Sequence, residues 1–245
     1  MPFTSAHPAA VLPLLRLRWH GISASALIAG SVAPDMEYLL RMKLTGGWGH
    51  TVTGAVFFSL PIAITMVMVF HLLKKPMIGA LPHYFQRRLQ PLIRFSFFSY
   101  FQQHPFACIL CVITGITTHL IWDGFTHANT IFEKNIPFLS SVIHIPYMPS
   151  WPVFRYLQHL STAAGTLYVV WVFRRQPMSE ISGRIIYRFW LWFTLFFVGV
   201  FLIRMQWTFN RPEDMFVSVL GGILWAFIGA ALTEQLLKLK NLKSP

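Results

Sequence analysis

The sequence predicts an all-α, polytopic membrane protein, and three observations carry that prediction. Of its 245 residues, 55% are hydrophobic and only 11% are charged, against roughly 25% charged in an ordinary soluble domain. Several apolar runs reach or approach the ~20 residues a helix needs to cross the hydrocarbon core. The basic excess, a formal net charge of +12, gathers between those runs and not within them. That is the pattern of membrane topology and anionic-lipid contact. The expected partner is therefore the lipid bilayer, with no nucleic acid.

Along the chain, residues 9–19 and 22–33 are apolar but short, and Arg16, Arg18 and His20 interrupt them. They read as two short N-terminal membrane-associated helices, the second ending at Ala33-Pro34-Asp35. The opening M-P-F-T-S-A-H-P-A-A lacks a basic head and a small-residue cleavage site, so no removable signal peptide is expected. Spans are expected at roughly 54–73, 105–123, 188–206 and 215–237. A shorter fifth, at 160–173, is bordered by Arg174 and Arg175, which makes about five transmembrane helices. Residues 1–173 form the region with chemistry-bearing side chains, and 174–245 add two spans and a basic tail. Cys108 and Cys111, in C-I-L-C inside an apolar run, read as buried structural thiols.

The loops set the orientation. Lys74, Lys75, Arg87, Arg88 and Arg94 occupy 74–94, Arg174, Arg175, Arg184 and Arg188 occupy 174–188, and Lys238, Lys240 and Lys243 end the chain. The alternate loops are poor in Lys and Arg. The positive-inside rule then places the basic loops and the C-terminus in the cytoplasm. A multi-pass protein of the bacterial inner membrane is the expectation.

The same orientation sorts the polar residues. His7, Asp35, His50, His119, Asp123, His127 and His159 fall at one membrane face, provided that 9–33 does not cross. His119 and Asp123, in T-T-H-L-I-W-D-G, are four apart and so share one face of a helix. His127 follows one further turn along if that helix passes Gly124. Ionisable groups in a membrane helix face a cavity, an ion or one another, and imidazole with carboxylate is a ligand set for a divalent metal. The plainer reading is a hydrogen-bonded polar cluster without metal. Arg155, near Trp151, reads as an interfacial anchor or as a contact for a substrate phosphate.

The order His7, Pro34-Asp35, Gly49-His50-Thr51 and His119-Leu-Ile-Trp-Asp123 resembles bacterial inner-membrane proteins described as metal-dependent hydrolases, the YdjM/YbcI-like group. The M-P-F-T-S-A-H-P-A opening resembles an uncharacterised sister family. The resemblance covers about residues 1–165. A more distant likeness is to zinc-dependent phospholipase C. That resemblance implies one zinc on Asp35, His50, His119 and Asp123, a second shared by His7 and Asp123, and a third that would take His127. The family's closing H-x-x-x-E is missing, because Leu160-Ser-Thr-Ala follows His159. One or two Zn²⁺ ions are therefore expected, not three.

Two functions are open at this stage. In the first, the protein is a metal-dependent hydrolase acting on a phosphoester in a lipid or lipid-linked substrate, with Asp35 or Glu37 as the proton acceptor. In the second, it is a non-catalytic scaffold or a transporter with a structural metal or polar cluster. No inverted repeat accompanies the cluster, which weighs against transport.

Overall fold

A computed structural model describes residues 4–17, 21–144, 146–147, 149–181, 185–209 and 211–243. Arg18, His20 and Arg184, and the first three residues of the opening motif, lie outside the described residues. The described chain is almost wholly helical. In order, the helices are α1 (Pro8–Val11), α2 (Ala24–Val32), α3 (Met36–Arg41), α4 (Val52–Gly79), α5 (His83–Arg94), α6 (Phe97–Gln103), α7 (Pro105–Thr126), α8 (Ile131–Asn135), α9 (Pro137–Ser140), α10 (Val153–Arg174), α11 (Tyr187–Arg204) and α12 (Pro212–Lys243). A two-residue ladder pairs β1 (Val142–Ile143) with β2 (Trp151–Pro152) in antiparallel register.

Among the described residues, four helices are long and apolar enough to cross a membrane: α4, α7, α11 and residues Pro212–Lys240 of α12. They match the four longer runs seen in the sequence. Helix α10 has 22 residues, yet its first turns carry Arg155, Gln158 and His159, and it is not among the four. The N-terminal segment forms short helices, with a 3-10 stretch at Leu12–Arg16 following α1.

The contacts divide the chain into two compact units. The first comprises residues 1–35, 48–65 and 103–175, and the second comprises 36–47, 66–102 and 176–245.

The first unit is organised by the crossing of α2 and α7. A Cβ at Gly30 would collide with the Val112 carbonyl, and one at Gly115 would collide with the Leu27 carbonyl. Two glycines thus let the helix backbones touch, as small residues do at membrane helix interfaces. Cys108 and Cys111 are buried, unpaired thiols on α7, as expected. Helix α4 begins with a π-helical stretch, Ala55–Ser59. Such a widened turn re-aims side chains and recurs at functional sites.

In the second unit α11 packs along α12. Phe189, Leu73, Ala80, Ala230 and Ala231 form its buried core. The Arg188 guanidinium grips Glu234 through two bonds of 2.8 and 2.9 Å. Two features differ from the sequence reading. Residues 83–94 form helix α5, where a basic loop was expected. Lys74 lies within α4, buried, and its Nζ donates to the carbonyls of Leu92 (2.6 Å) and Phe95 (2.5 Å). Its ammonium satisfies the carbonyls at the end of α5 and beyond it, so that charge does not mark a solvated loop.

Candidate metal centre

The α2–α7 crossing places His119 one turn beyond Gly115, against the end of α2. There His119 Nδ1 donates to the Ser31 carbonyl at 2.7 Å. A carbonyl only accepts, so Nδ1 carries a proton and Nε2 is the nitrogen turned towards the centre. One turn further, Asp123 lies on the same face of α7, with Oδ2 3.3 Å from His119 Nε2.

Asp35 comes from the 3-10 turn Ala33–Asp35 that ends α2. Thr4 Oγ1 donates to Asp35 Oδ2 at 2.8 Å, which leaves Oδ1 for the centre. His50 lies in the turn Trp48–His50 that leads into α4. Ser59, in the π stretch, donates to the Gly49 carbonyl at 3.1 Å and pins that turn.

Four atoms therefore converge: Asp35 Oδ1, His50 Nε2, His119 Nε2 and Asp123 Oδ2. His50 Nε2 is 3.3 Å from Asp35 Oδ1, 3.2 Å from Asp123 Oδ2 and 3.2 Å from His119 Nε2. His119 Nε2 is 3.7 Å from Asp35 Oδ1. Ligand atoms of all four residues lie within 4.8 Å of one another. Bonds of ~2.0–2.1 Å around a tetrahedral ion would separate its ligands by about 3.3–3.4 Å. The separations of 3.2–3.3 Å around His50 Nε2 are close to that spacing.

The chemistry of the donors fits as well. Asp35, His119 and Asp123 are buried, and the two carboxylates together balance a divalent charge. Asp123 Oδ1 is buried with no hydrogen-bond partner, as is each ring nitrogen of His7. A buried polar atom without a partner is costly, and a cation offsets that cost. His119 also has the outer partner that metal-ligating histidines use to fix their tautomer.

Three more groups complete the surroundings. His7 stacks on His119 with ring centroids 3.8 Å apart, and its Nε2 lies 3.6 Å from Asp123 Oδ1. Burial, followed by the nearby His119, lowers the His7 pKa to about 4, so the ring is neutral near pH 7. His127 caps α7 instead of continuing it, and its Nδ1 lies 3.5 Å from Asp123 Oδ1. Burial lowers its pKa too. Gln158 Nε2 donates to His127 Nε2 at 3.2 Å.

His50 goes the other way. Burial disfavours its charge, but hydrogen bonds to Asp123 and Asp35 outweigh burial and raise its pKa to about 9. For Asp35, burial opposes ionisation, yet the His50 hydrogen bond holds the carboxyl below its ordinary value.

Of the residues singled out from sequence, His7, Asp35, His50, His119, Asp123 and His127 come together. Within the same unit the structure does not bring His159 and Arg155 to this point, and Glu37 belongs to the second unit. His159 is exposed on α10, with its ring 5.0 Å from that of Trp151. Its neighbour Gln158 reaches the cluster instead. Arg155 is exposed and lies over the Trp151 ring at 5.0 Å. Glu37 accepts from the Gly47 amide at 3.1 Å and pairs with Arg41 Nε at 3.2 Å.

Sequence reasoning missed Thr4, Ser31 and Gln158. Thr4 stands three residues before His7 in the opening motif, which was its one visible signal. Ser31 contributes a backbone carbonyl, which no residue type announces.

No curated protein and no solved structure matches the chain. A profile described as a domain of unknown function, DUF4184, matches residues 1–238. The chain thus belongs to the DUF4184 family.

Proposed function

We propose that this protein is a metal-dependent hydrolase of the membrane, with a divalent ion, zinc by ligand chemistry, held by Asp35, His50, His119 and Asp123. The observation that carries the reading is the convergence of those four donors, with ligand atoms all within 4.8 Å of one another and each histidine nitrogen 3.2 to 3.7 Å from the other three donors. When bound, such an ion supplies Lewis acidity and a nucleophile at neutral pH.

The chain's own residues divide the remaining work. Thr4 and the Ser31 carbonyl orient two ligands. His7 Nε2 and His127 Nδ1 both face Asp123 Oδ1; because His127 Nε2 accepts from Gln158, its Nδ1 carries the proton, and His7 Nε2 is the nitrogen suited to a second ion shared with Asp123. Of the two proton acceptors expected, Asp35 would be a ligand through Oδ1 while its Oδ2 accepts from Thr4, and Glu37 is held by Gly47 and Arg41.

A lipid or lipid-linked phosphoester is the substrate class we favour. A cavity of about 410 Å³ is lined by Ala10, Ile121, Trp122, Phe125, Thr126 and Leu157 among others. It opens on the face of α7 that carries Trp122, beside His119 and Asp123 in sequence. Apolar lining of that kind suits a hydrocarbon tail. The orientation we propose has five spans, α10 being the fifth, and a cytoplasmic C-terminus, as in a bacterial inner-membrane protein. The Lys and Arg asymmetry of the loops supports it.

One observation favours the second reading, a metal-stabilised scaffold. Four protein donors are a full tetrahedron, the form of structural zinc sites. Phospholipids and isoprenoid diphosphates, incubated with metal-loaded protein with and without chelator, separate the two. The hydrolase reading expects chelator-sensitive turnover that Asp123→Ala abolishes. A folded, metal-loaded protein with no turnover across that panel favours the scaffold.

A further inference from the structure

The second unit contains a cavity of about 590 Å³ that the metal centre does not use. Leu40, Val200, Ile203 and Trp225 give it apolar walls, and Lys43 and Arg204 give it positive charge. Arg204 is the last residue of the candidate span Tyr187–Arg204.

Arg204 is only 4% exposed. Its Nε donates to the Met42 carbonyl at 3.2 Å, and its Nη1 donates to the Trp207 carbonyl at 3.0 Å. The guanidinium lies over the Phe209 ring at 4.2 Å. All these partners are neutral. Nη2 is buried and has no hydrogen-bond partner. Among the described residues no carboxylate pairs with Arg204. Glu37 is bonded to Arg41 and Gly47, and Asp214 Oδ1 accepts from the Leu44 amide at 2.8 Å. A buried cation without a counter-charge is expensive, and an anion accepting from its free donor would offset that cost.

The apolar walls identify the kind of anion. Ile203 is 57% exposed and Trp225 41% exposed, and both belong to helices that can cross a membrane. A free phosphate would satisfy Arg204 and leave these side chains uncovered. A molecule with an anionic head and hydrocarbon tails covers both.

We propose that this cavity binds the headgroup of an anionic glycerophospholipid, with its phosphate on Arg204 Nη2 and Lys43 and its acyl chains along Val200, Ile203 and Trp225. The inference does not depend on the metal centre. Arg204 then has two roles. It straps the Met42 carbonyl, to which Ser218 also donates at 2.9 Å, and it selects the lipid.

The test is native mass spectrometry of the full chain released from nanodiscs of equal phosphatidylglycerol and phosphatidylcholine. The proposal expects one phosphatidylglycerol retained in preference to phosphatidylcholine. Retention should drop about tenfold in Arg204→Gln and in Lys43→Glu, the loss expected for one charge-assisted hydrogen bond. Lys43→Glu leaves the Met42 strap in place, so it decides the matter if Arg204→Gln does not fold. Equal retention of the two lipids overturns the proposal, as does wild-type retention in Lys43→Glu. Displacement of the lipid by millimolar inorganic phosphate would also overturn it, in favour of a soluble-anion site.

Discussion

His119 donates its Nδ1 proton to the Ser31 carbonyl at 2.7 Å, and that single bond aims Nε2 at Asp35, His50 and Asp123. The bond exists because α2 and α7 touch at Gly30 and Gly115. The local geometry of the candidate metal centre is thus a consequence of helix packing.

That dependence predicts the effect of crowding the crossing. Gly115→Val places a side chain against the Leu27 carbonyl and the Ser31 amide. Overpacking of this kind costs about 1–3 kcal/mol. Thermal unfolding in detergent should show the loss, together with weaker metal retention because Ser31 moves. Gly199→Val, at a position with nothing near its Cβ, should change neither.

Thr4 is expected to matter without touching an ion. Thr4→Val removes the donor to Asp35 Oδ2 and frees the carboxylate to turn. Loss of such an outer partner lowers metal affinity roughly 10–100-fold. A competition titration against a chromogenic chelator measures it, and Thr4→Ser should restore most of the affinity. Unchanged affinity in Thr4→Val would mean that Asp35 is held by its backbone alone.

The pH behaviour follows from two histidines shifted in opposite directions. In metal-free protein, His50 has a folded pKa of about 9, above the ordinary 6.5. Its contribution is complete below 6.5 and is lost as pH rises through 9. His7 has a folded pKa of about 4, so its contribution is complete above 6.5 and is lost as pH falls towards 4. Metal-free protein should therefore melt highest near the middle of that range. Metal affinity should instead climb with pH up to about 9, because His50 must shed its proton to ligate. Melting curves and metal titrations across the same buffers check both directions.

Orientation gives a prediction independent of the site. A cysteine at Lys134 should react with an impermeant thiol reagent in intact cells, and one at Lys240 should not. The reverse pattern would contradict the charge-based topology.

The α7 half of the centre was legible in the sequence, because a histidine and an aspartate four apart in an apolar run must face each other, a cavity or an ion. Asp35 and His50 were legible only jointly with that pair, since each alone reads as a cap or a turn residue. The close approach of Gly30 and Gly115 was not legible, because glycine carries no label for its partner. His127 and His159 show the limit of spacing arguments. His127 joins Asp123 although the helix stops at Thr126, whereas the rotation of α10 turns His159 outward and Gln158 inward. Helix α5 was missed because its arginines were read as loop charge, although they sit on one face of an amphipathic helix.

The metal centre stands or falls on whether the four converging donors hold an ion. Elemental analysis of full-length protein, purified in detergent without added chelator, measures this. The expected result is at least one tightly held divalent ion per chain, lost in folded His119→Ala and Asp123→Ala variants. Folded wild-type protein without stoichiometric metal, or a His119→Ala variant that keeps it, would contradict the assignment.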